Sequence, residues 1–321
     1  MLGKYDIEVY NNRVHYYLTV KRNITLINGD SGTGKSELIR LIGSYETDGA
    51  SSGVTLKCER RCRVLTSVDW ELRLSAMKES IIFIDEMASF TRSVGFAEKV
   101  KGSDNYFVIV TRDSLMNLPY SVDEIYGLRD TTDSQKYRVY HRTYNEMYRL
   151  YNLNTASDSV PEKVITEDSN SGFEFFSILY QGRCCSAHGK SSVYTLIREN
   201  RERKLLVIVD GAAFGSEMAK VMDYIRSSRV ECTVYAPESF EYLILLSGVI
   251  DCPESITTET YRFADSCKYT SWEEFYTEYL RERTRNTACQ YSKSKLSSYY
   301  RTERVVRMIA SVLPSRIRED N

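Results

Sequence analysis

The sequence predicts an α/β fold, arranged as two domains followed by a mainly helical segment. Short apolar runs suited to buried strands alternate with segments of helical periodicity along most of the 321 residues. A chain of this length exceeds one ordinary domain. The composition, with 42% hydrophobic residues and only 5 Pro and 16 Gly, excludes a disordered or fibrous protein.

We place the first domain at residues 1–153, a linker at 154–163, a second domain at 164–270 and a basic helical segment at 271–321. The linker is polar, contains Pro161 and lacks periodicity.

The first domain opens with strands. Residues 7–20 alternate in polarity around Asn11-Asn12, which predicts a β-hairpin. The elements expected after it are strand 24–28, helix 35–42, strands 54–58 and 63–68, helix 70–78, strands 81–84 and 106–110, and shorter strands near 124–127 and 137–140.

The second domain alternates four strands with three helices, which predicts a second open α/β sheet. The strands are expected at 164–166, 183–186, 205–209 and 231–235, and the helices at 173–179, 192–199 and 217–227. Residues 272–321 are expected to be mainly helical.

The strongest chemical signal is a glycine-rich run between the strand at 24–28 and the helix at 35–42. It matches the phosphate-loop (Walker A) pattern GxxxxGK[ST] in full, with Gly29, Asp30, Ser31, Gly32, Thr33, Gly34, Lys35 and Ser36. In this pattern, backbone N–H groups cradle phosphates, the lysine reaches the β and γ phosphates, and the hydroxyl ligates Mg²⁺. We therefore expect ATP and Mg as cofactors.

An acidic pair, Asp85 and Glu86, ends the apolar strand at 81–84. Ligands of open α/β sheets gather at the carboxyl ends of strands. The run is similar to a Walker B motif, which implies that Asp85 holds Mg²⁺ through water and that Glu86 polarises the attacking water. The structural alternative is a pair of acids that cap a helix.

The strand at 106–110 ends in Thr111 and Arg112. Both lie beside the γ-phosphate if the strand order is that of related ATPases, and either then senses the nucleotide state. The alternative is a cap and a surface salt bridge. No NKxD sequence follows the phosphate loop, which argues against guanine recognition, and no LSGGQ-like signature precedes Asp85, which argues against a complete transporter-type ATPase.

The leading strands, the phosphate loop and the Asp85-Glu86 pair resemble the ATPase core that accompanies the overcoming-lysogenisation-defect nucleases. The resemblance covers about residues 5–128 and rests on two short motifs. It implies a P-loop NTPase that hydrolyses ATP, and it implies a homodimer, since related ATPases often work as dimers.

The second domain resembles a Toprim module, in which a strand presents a glutamate before a turn and an aromatic-rich helix. Glu167 follows the strand at 164–166, and Asp210 ends the strand at 205–209, 43 residues later. The resemblance implies that these carboxylates bind Mg²⁺ for phosphodiester chemistry.

Toprim enzymes carry an Asp-x-Asp sequence, whereas this chain reads Asp210-Gly211-Ala212 and so lacks the second aspartate. Residues 235–243 resemble the following stretch in Toprim-like effectors of phage-defence systems that pair an ATPase with a nuclease, so Glu238 or Glu241 is a candidate replacement ligand. The alternative is a generic α/β sheet in which Glu167 and Asp210 cap loops.

The C-terminal segment is strongly basic. Residues 281–318 contain ten basic residues and two acidic ones, although the whole chain has a net charge of −1. With Tyr291, Tyr299 and Tyr300, this segment offers charge to a nucleic-acid backbone and rings to its bases. The alternative is an amphipathic helix with a solvated basic face, whose inward residues would be Val305, Val306, Met308 and Ile309.

The eight cysteines show no CxxC spacing, so reduced thiols are expected. Cys58 and Cys62 resemble half of a zinc site, but no second pair follows at a matching distance. No apolar stretch reaches the ~18 residues of a membrane helix, and the first ten residues carry charges instead of an apolar signal core. We expect a cytoplasmic protein without membrane contact.

Three functions fit these observations. The leading hypothesis is an ATPase that controls a Toprim-like module which binds or cuts nucleic acid, in phage defence or on a mobile element. The second is a nucleotide-dependent regulator or scaffold whose second domain is catalytically inactive and binds a protein partner. The third is a P-loop kinase of a small molecule, which is disfavoured because nothing resembles an arginine-bearing lid.

Overall fold

The computed structural model describes residues 1–29, 32–132, 142–153, 160–202 and 204–317. The chain divides into two compact units. The first comprises Met1–Tyr151 and Tyr261–Thr270, and the second comprises Asn152–Thr260 and Ser271–Asn321. Each unit has its own β-sheet flanked by helices, which confirms the α/β class.

The first unit contains a nine-stranded mixed sheet in the order β4-β1-β2-β9-β8-β3-β7-β6-β5. Its strands are β1 (Tyr5–Tyr10), β2 (Val14–Val20), β3 (Ile24–Ile27), β4 (Thr55–Lys57), β5 (Arg61–Val64), β6 (Ser80–Ile84), β7 (Tyr106–Val110), β8 (Ile125–Asp130) and β9 (Thr143–Arg149). Its helices are α1 (Lys35–Asp48), α2 (Trp70–Ser75) and α3 (Val94–Val100). Strands β8, β3, β7, β6 and β5 run parallel to one another.

The predicted hairpin and the predicted central strands are confirmed. The side chain of Asn11 accepts hydrogen bonds from the backbone N–H groups of Arg13 and Val14, at 2.8 and 2.9 Å, and closes the turn between β1 and β2. Strands β3, β6 and β7 are buried along their whole length. Burial on both faces explains their continuous apolar sequences.

The sheet coils around α1. Strands β4 and β5 form its two opposite edges, yet only residues 58–60 connect them. Four residue steps span at most about 14 Å, whereas eight strand spacings laid flat span about 38 Å. The sheet must therefore curl, and α1 contacts β1, β4 and β5 together.

The second unit contains a four-stranded parallel sheet in the order β11-β10-β12-β13. Its strands are β10 (Lys163–Thr166), β11 (Cys184–Ser186), β12 (Lys204–Ile208) and β13 (Glu231–Tyr235). Its helices are α4 (Ser171–Leu179), α5 (Lys190–Glu199), α6 (Gly215–Ser227), α7 (Phe240–Leu246), α8 (Ser255–Thr258), α9 (Trp272–Arg283) and α10 (Glu303–Ser311). The predicted alternation of four strands and three helices is confirmed.

The C-terminal segment is less helical than its sequence predicts. Between α9 and α10, residues 284–302 form loops and a short 3₁₀ turn at Ser298–Arg301. In α10, Val305 and Ile309 are buried, whereas Val306 and Met308 are only partly buried. The inward face of this amphipathic helix is therefore narrower than expected.

Some local elements differ from the sequence-based expectation. Strand β5 ends at Val64 and α2 ends at Ser75. Both elements therefore end earlier than the sequence predicts, and loops follow them. Helix α3 and strand β9 were not expected. The strand expected at 137–140 lies outside the described residues. Within the described ranges, no helix has the length and apolar character needed to span a membrane.

Residues 261–270 belong to the first unit, although the sequence places them with the second domain. The carbonyl of Tyr261 accepts a hydrogen bond from the N–H of Gly3 at 2.8 Å. The side-chain amide of Asn23 donates to the carbonyl of Tyr269 at 2.9 Å. These bonds join the returning segment to the start of the chain and to the residue before β3.

Candidate functional site

The phosphate-loop sequence lies between β3 and α1, as expected, and the structure describes six of its residues, with Asp30 and Ser31 outside the described ranges. The ammonium of Lys35 donates hydrogen bonds to the carbonyl of Gly29 and to the hydroxyl of Thr33, both at 2.8 Å. Lys35 is only 5% exposed. Its side chain therefore folds back across the loop and holds the charge inside the turn.

Tyr16, on β2, forms a wall of the loop that sequence reasoning missed. Its hydroxyl donates to the carbonyl of Gly34 at 2.9 Å. The ring is fully buried, and burial raises the pKa of Tyr16 to about 12. A Cβ on Gly34 would lie 2.7 Å from this hydroxyl, and Gly34 has a φ of +83°. The positive φ and the closeness of the Tyr16 hydroxyl therefore both require glycine at position 34, just before α1.

Asp85 and Glu86 follow β6 in a tight turn. The N–H of Glu86 donates to Asp85 Oδ1 at 2.6 Å, and the N–H of Ala88 donates to the carbonyl of Asp85 at 3.0 Å. The next helical turn, a 3₁₀ turn at Ser89–Arg92, is capped by Ala88. The acids therefore do not cap that helix, which argues against the structural alternative.

The strand register brings the loop and the acids to one edge of the sheet. Ile109 of β7 pairs with Leu26 of β3 on one side and with Ile84 of β6 on the other. The carboxyl ends of β3 and β6 are thus level, and two strand spacings separate them by about 10 Å. Ser36 is exposed in the first turn of α1.

Thr111 and Arg112 lie at the end of β7, between those two strands. The Thr111 hydroxyl closes a turn with Asp113, accepting from its N–H at 3.0 Å and donating to its carbonyl at 3.2 Å. Arg112 Nε forms an ion pair with Glu86 Oε1 at 2.8 Å, and the two side chains are 51% and 31% exposed. Thr111 therefore fits the structural alternative, in which its side chain caps a turn, whereas Arg112 contacts Glu86.

Glu167 and Asp210 lie together in the second unit. Strands β10 and β12 are adjacent, and Glu167 Oε2 accepts a hydrogen bond from the N–H of Asp210 at 3.0 Å. The two carboxylates line a cavity of about 20 Å³, with room for about one water molecule. Glu241, rather than Glu238, lines the same cavity, together with Asp168 and Lys293.

The cavity concentrates negative charge. Burial raises the pKa of Glu167 to about 7, and burial together with the carboxylates of Glu273 and Glu167 raises the pKa of Asp210 well above its usual value. Lys293 is the counter-charge: burial lowers its pKa, but the Glu273 and Glu241 carboxylates outweigh burial and raise it overall. Lys293 and Glu273 form a close ion pair.

Tyr291 and Lys293 organise this site, and sequence reasoning missed that role. The Tyr291 hydroxyl contacts Glu241 Oε1 and the Ser171 hydroxyl, each at 2.7 Å. The carbonyl of Lys293 accepts from the N–H of Ser171 at 3.0 Å. Lys293 lines both the carboxylate cavity and an open cleft of about 820 Å³ beside α9, and Tyr291 lines that cleft.

The C-terminal segment buries or pairs part of the rings and charges that its sequence offers. Tyr291 and Tyr300 are buried, so their faces are not open to stacking bases. Part of the positive charge is neutralised within the second unit by the pairs Arg283–Asp251, Lys293–Glu273, Arg301–Glu174 and Arg307–Glu303.

The carboxylate cavity does not fit a divalent cation as it stands. Individual oxygens of Glu167 and Glu241 accept hydrogen bonds from Asp210 and Tyr291, and Lys293 places an ammonium beside them. Across the described part of the chain, no three His, Cys, Asp or Glu side chains are arranged to hold a metal ion. A metal would require these contacts to open.

No protein-family model matches this sequence, and no curated protein matches it either. Function is therefore inferred from the two sites.

We expect Gly34→Ala to lower the free energy of unfolding of the first unit by about 1–3 kcal/mol, because it adds both backbone strain and a clash with Tyr16. Gly53→Ala is the matched control, since Gly53 has a φ of +71° with open space around its Cβ position. Urea unfolding measures both. Tyr16→Phe should recover part of the loss, because only the hydroxyl is too close; equal losses at Gly34 and Gly53 would contradict the clash.

The raised pKa of Glu167 predicts that stability falls as pH rises from about 4.5 to about 7. In this window the folded state holds a proton that the unfolded state has released, so raising the pH favours unfolding, by about 3 kcal/mol for this group. Thermal unfolding across the window should show a shallower pH dependence in Glu167→Gln, with a residual slope from Asp210. An unchanged slope in the variant would contradict the assignment.

Proposed function

We propose that the first unit binds Mg·ATP and hydrolyses it. The observation that carries the proposal is the Lys35 ammonium, held across the glycine-rich loop by Gly29 and Thr33 at the N-terminus of α1. A cation at a helix N-terminus, beside a loop of backbone N–H groups, is a receptor for phosphate oxygens. The placement of Asp85 and Glu86 at the same sheet edge supports hydrolysis over simple binding.

Phosphate binding would exchange partners at Lys35. Its ammonium leaves neutral oxygens of the loop and takes anionic phosphate oxygens, which form stronger charge-assisted hydrogen bonds. Ser36 and Asp85 would hold the Mg²⁺ ion, and Asp85 keeps one carboxylate oxygen that the Glu86 N–H does not use. The bound ion neutralises charge on the β and γ phosphates.

Glu86 would act as the base for the attacking water. Its ion pair with Arg112 is substantially exposed, so breaking it costs little. The exchange frees a carboxylate to orient water and a guanidinium to contact the γ-phosphate. The pair thus gives Glu86 and Arg112 related roles, with Arg112 as the nucleotide sensor at the end of β7.

The second unit would be the effector, binding or cutting nucleic acid under the control of ATP. Its support is the buried group of carboxylates at the ends of adjacent strands, and Glu241, the candidate replacement for the missing aspartate, lines the same cavity. Phosphodiester cleavage by such a group requires a divalent cation. The cation would have to displace Lys293 from the cavity wall.

A second candidate function is favoured by Lys293 itself. A cation supplied by the chain already faces the carboxylates, and Tyr291 fixes Glu241 by a hydrogen bond. The second unit would then be catalytically inactive, and the chain would be a nucleotide-dependent regulator that binds a protein partner.

Phosphate release from Mg·ATP tests the first unit. Lys35→Ala should abolish hydrolysis and weaken binding, whereas Glu86→Gln should bind ATP and hydrolyse it about 100-fold more slowly or worse, because the base is lost. Lys99→Ala and Glu98→Gln, both exposed on α3, are matched controls that should leave turnover unchanged. Full turnover in both site variants would refute the proposal.

Cleavage of plasmid DNA and of RNA with Mg²⁺ or Mn²⁺ separates the two candidates for the second unit. A nuclease should lose cleavage in Glu167→Gln but keep ATP hydrolysis, while Glu199→Gln, an exposed change on α5, should keep both. If the wild-type protein hydrolyses ATP and leaves both nucleic acids intact, the regulator is supported and the nuclease is refuted.

A further inference from the structure

Cys58 and Cys62 lie on either side of the short connection between β4 and β5, and both sulfurs contact the backbone of Arg60. Cys58 Sγ accepts a hydrogen bond from the Arg60 N–H at 3.5 Å, and Cys62 Sγ donates to the Arg60 carbonyl at 3.9 Å. The turn therefore brings both sulfurs to the backbone of one residue, and both remain free thiols.

The two sulfurs have different surroundings. Cys58 is partly exposed, whereas Cys62 is 8% exposed and packs in the core around α1. The neighbouring Cys62 thiol lowers the pKa of Cys58 to about 7 despite partial burial, and the backbone N–H of Arg60 contributes in the same direction. Proximity to Cys58 and burial raise the pKa of Cys62. A partly exposed thiol with a lowered pKa thus lies near a buried thiol.

We propose that Cys58 and Cys62 form a redox-sensitive dithiol, in which Cys58 is the attacking thiol and Cys62 is the resolving thiol. The oxidant is a low-molecular-weight disulfide. This pairing of an accessible thiolate with a neighbouring thiol is the arrangement that makes a cysteine a site of reversible oxidation.

The reaction proceeds by two thiol–disulfide exchanges. The Cys58 thiolate attacks one sulfur of the small disulfide, whose S–S bond breaks and releases one thiolate that takes a proton. Cys62 then loses its proton and attacks Cys58 Sγ, and the mixed disulfide breaks to release the second small thiol. Two protein thiols are oxidised to one disulfide, and one small disulfide is reduced to two thiols.

Other cysteines with resolved pKa shifts lack this combination. Burial raises the pKa of Cys184, Cys185, Cys232 and Cys252, which disfavours their thiolates. Cys184 and Cys185 are consecutive on β11, so their side chains point to opposite faces of the sheet. The proposal is independent of ATP hydrolysis, since it uses no residue of the phosphate loop.

The test is incubation of the native protein with oxidised glutathione, followed by peptide mass mapping. The wild-type protein should form a Cys58–Cys62 disulfide without a lasting adduct. Cys62→Ser should accumulate a glutathione adduct on Cys58, because a serine hydroxyl cannot attack and resolve the mixed disulfide. Cys267→Ser, at an exposed cysteine, is the matched control and should behave as the wild type.

The pH dependence of Cys58 alkylation provides a second readout. Cys62→Ala removes the thiol that lowers the pKa of Cys58 and should move the midpoint of alkylation to higher pH than in the wild type. The proposal is overturned if Cys58 stays unmodified in the folded wild-type protein while Cys267 reacts, or if Cys58 forms its disulfide with another cysteine. The wild-type result stands even if a variant does not fold.

Discussion

The enclosure of α1 by a coiled sheet is the constraint on which the first unit depends. Leu38, Leu41 and Ile42 are fully buried, and each side chain contributes about 1.5–3 kcal/mol of apolar burial. The helix contacts strands near both edges of the sheet, so it cannot move without opening that sheet. Its N-terminus, and with it the ammonium of Lys35, is therefore fixed by packing far from the loop itself. Tyr16 extends this rigidity to Gly34.

The second unit depends on a balance of buried charge. Carboxylates from the ends of two strands and from α7 line one small cavity, and the charge of Glu273 on α9 acts on it. Carboxylates removed from water require partners. The loop after α9 supplies those partners, with a cation at Lys293 and a hydroxyl at Tyr291. Tyr291 and Lys293 lie in a segment whose composition suggests a basic surface, yet they stabilise buried carboxylates of the second unit. Because this loop supplies both partners, a change in its position would change the charge within the cavity.

Local sequence was sufficient to predict the strands and turns that depend on residues close together in the chain. Apolar runs marked β3, β6 and β7 because both faces of these strands are buried, and glycine spacing marked the turn between β3 and α1. Helix α3 had a readable signal that was overlooked, since the Ser93 side chain caps it by accepting from the Phe96 N–H. The insertion of β9 between β2 and β8, and the arrival of Lys293 beside Asp210, depend on contacts distant in sequence, and no periodicity encodes those.

The return of residues 261–270 to the first unit affects how the protein is made. A ribosome synthesises the whole sheet of the second unit, β10 to β13, before the carbonyls of Tyr261 and Tyr269 exist. Until then, the N–H of Gly3 and the amide of Asn23 lack their final acceptors. Domains that are contiguous in sequence can finish folding in the order of synthesis. Here the unit that begins first is completed only after the other has formed most of its strands and helices, so the nascent chain carries an unfinished first unit for most of its synthesis.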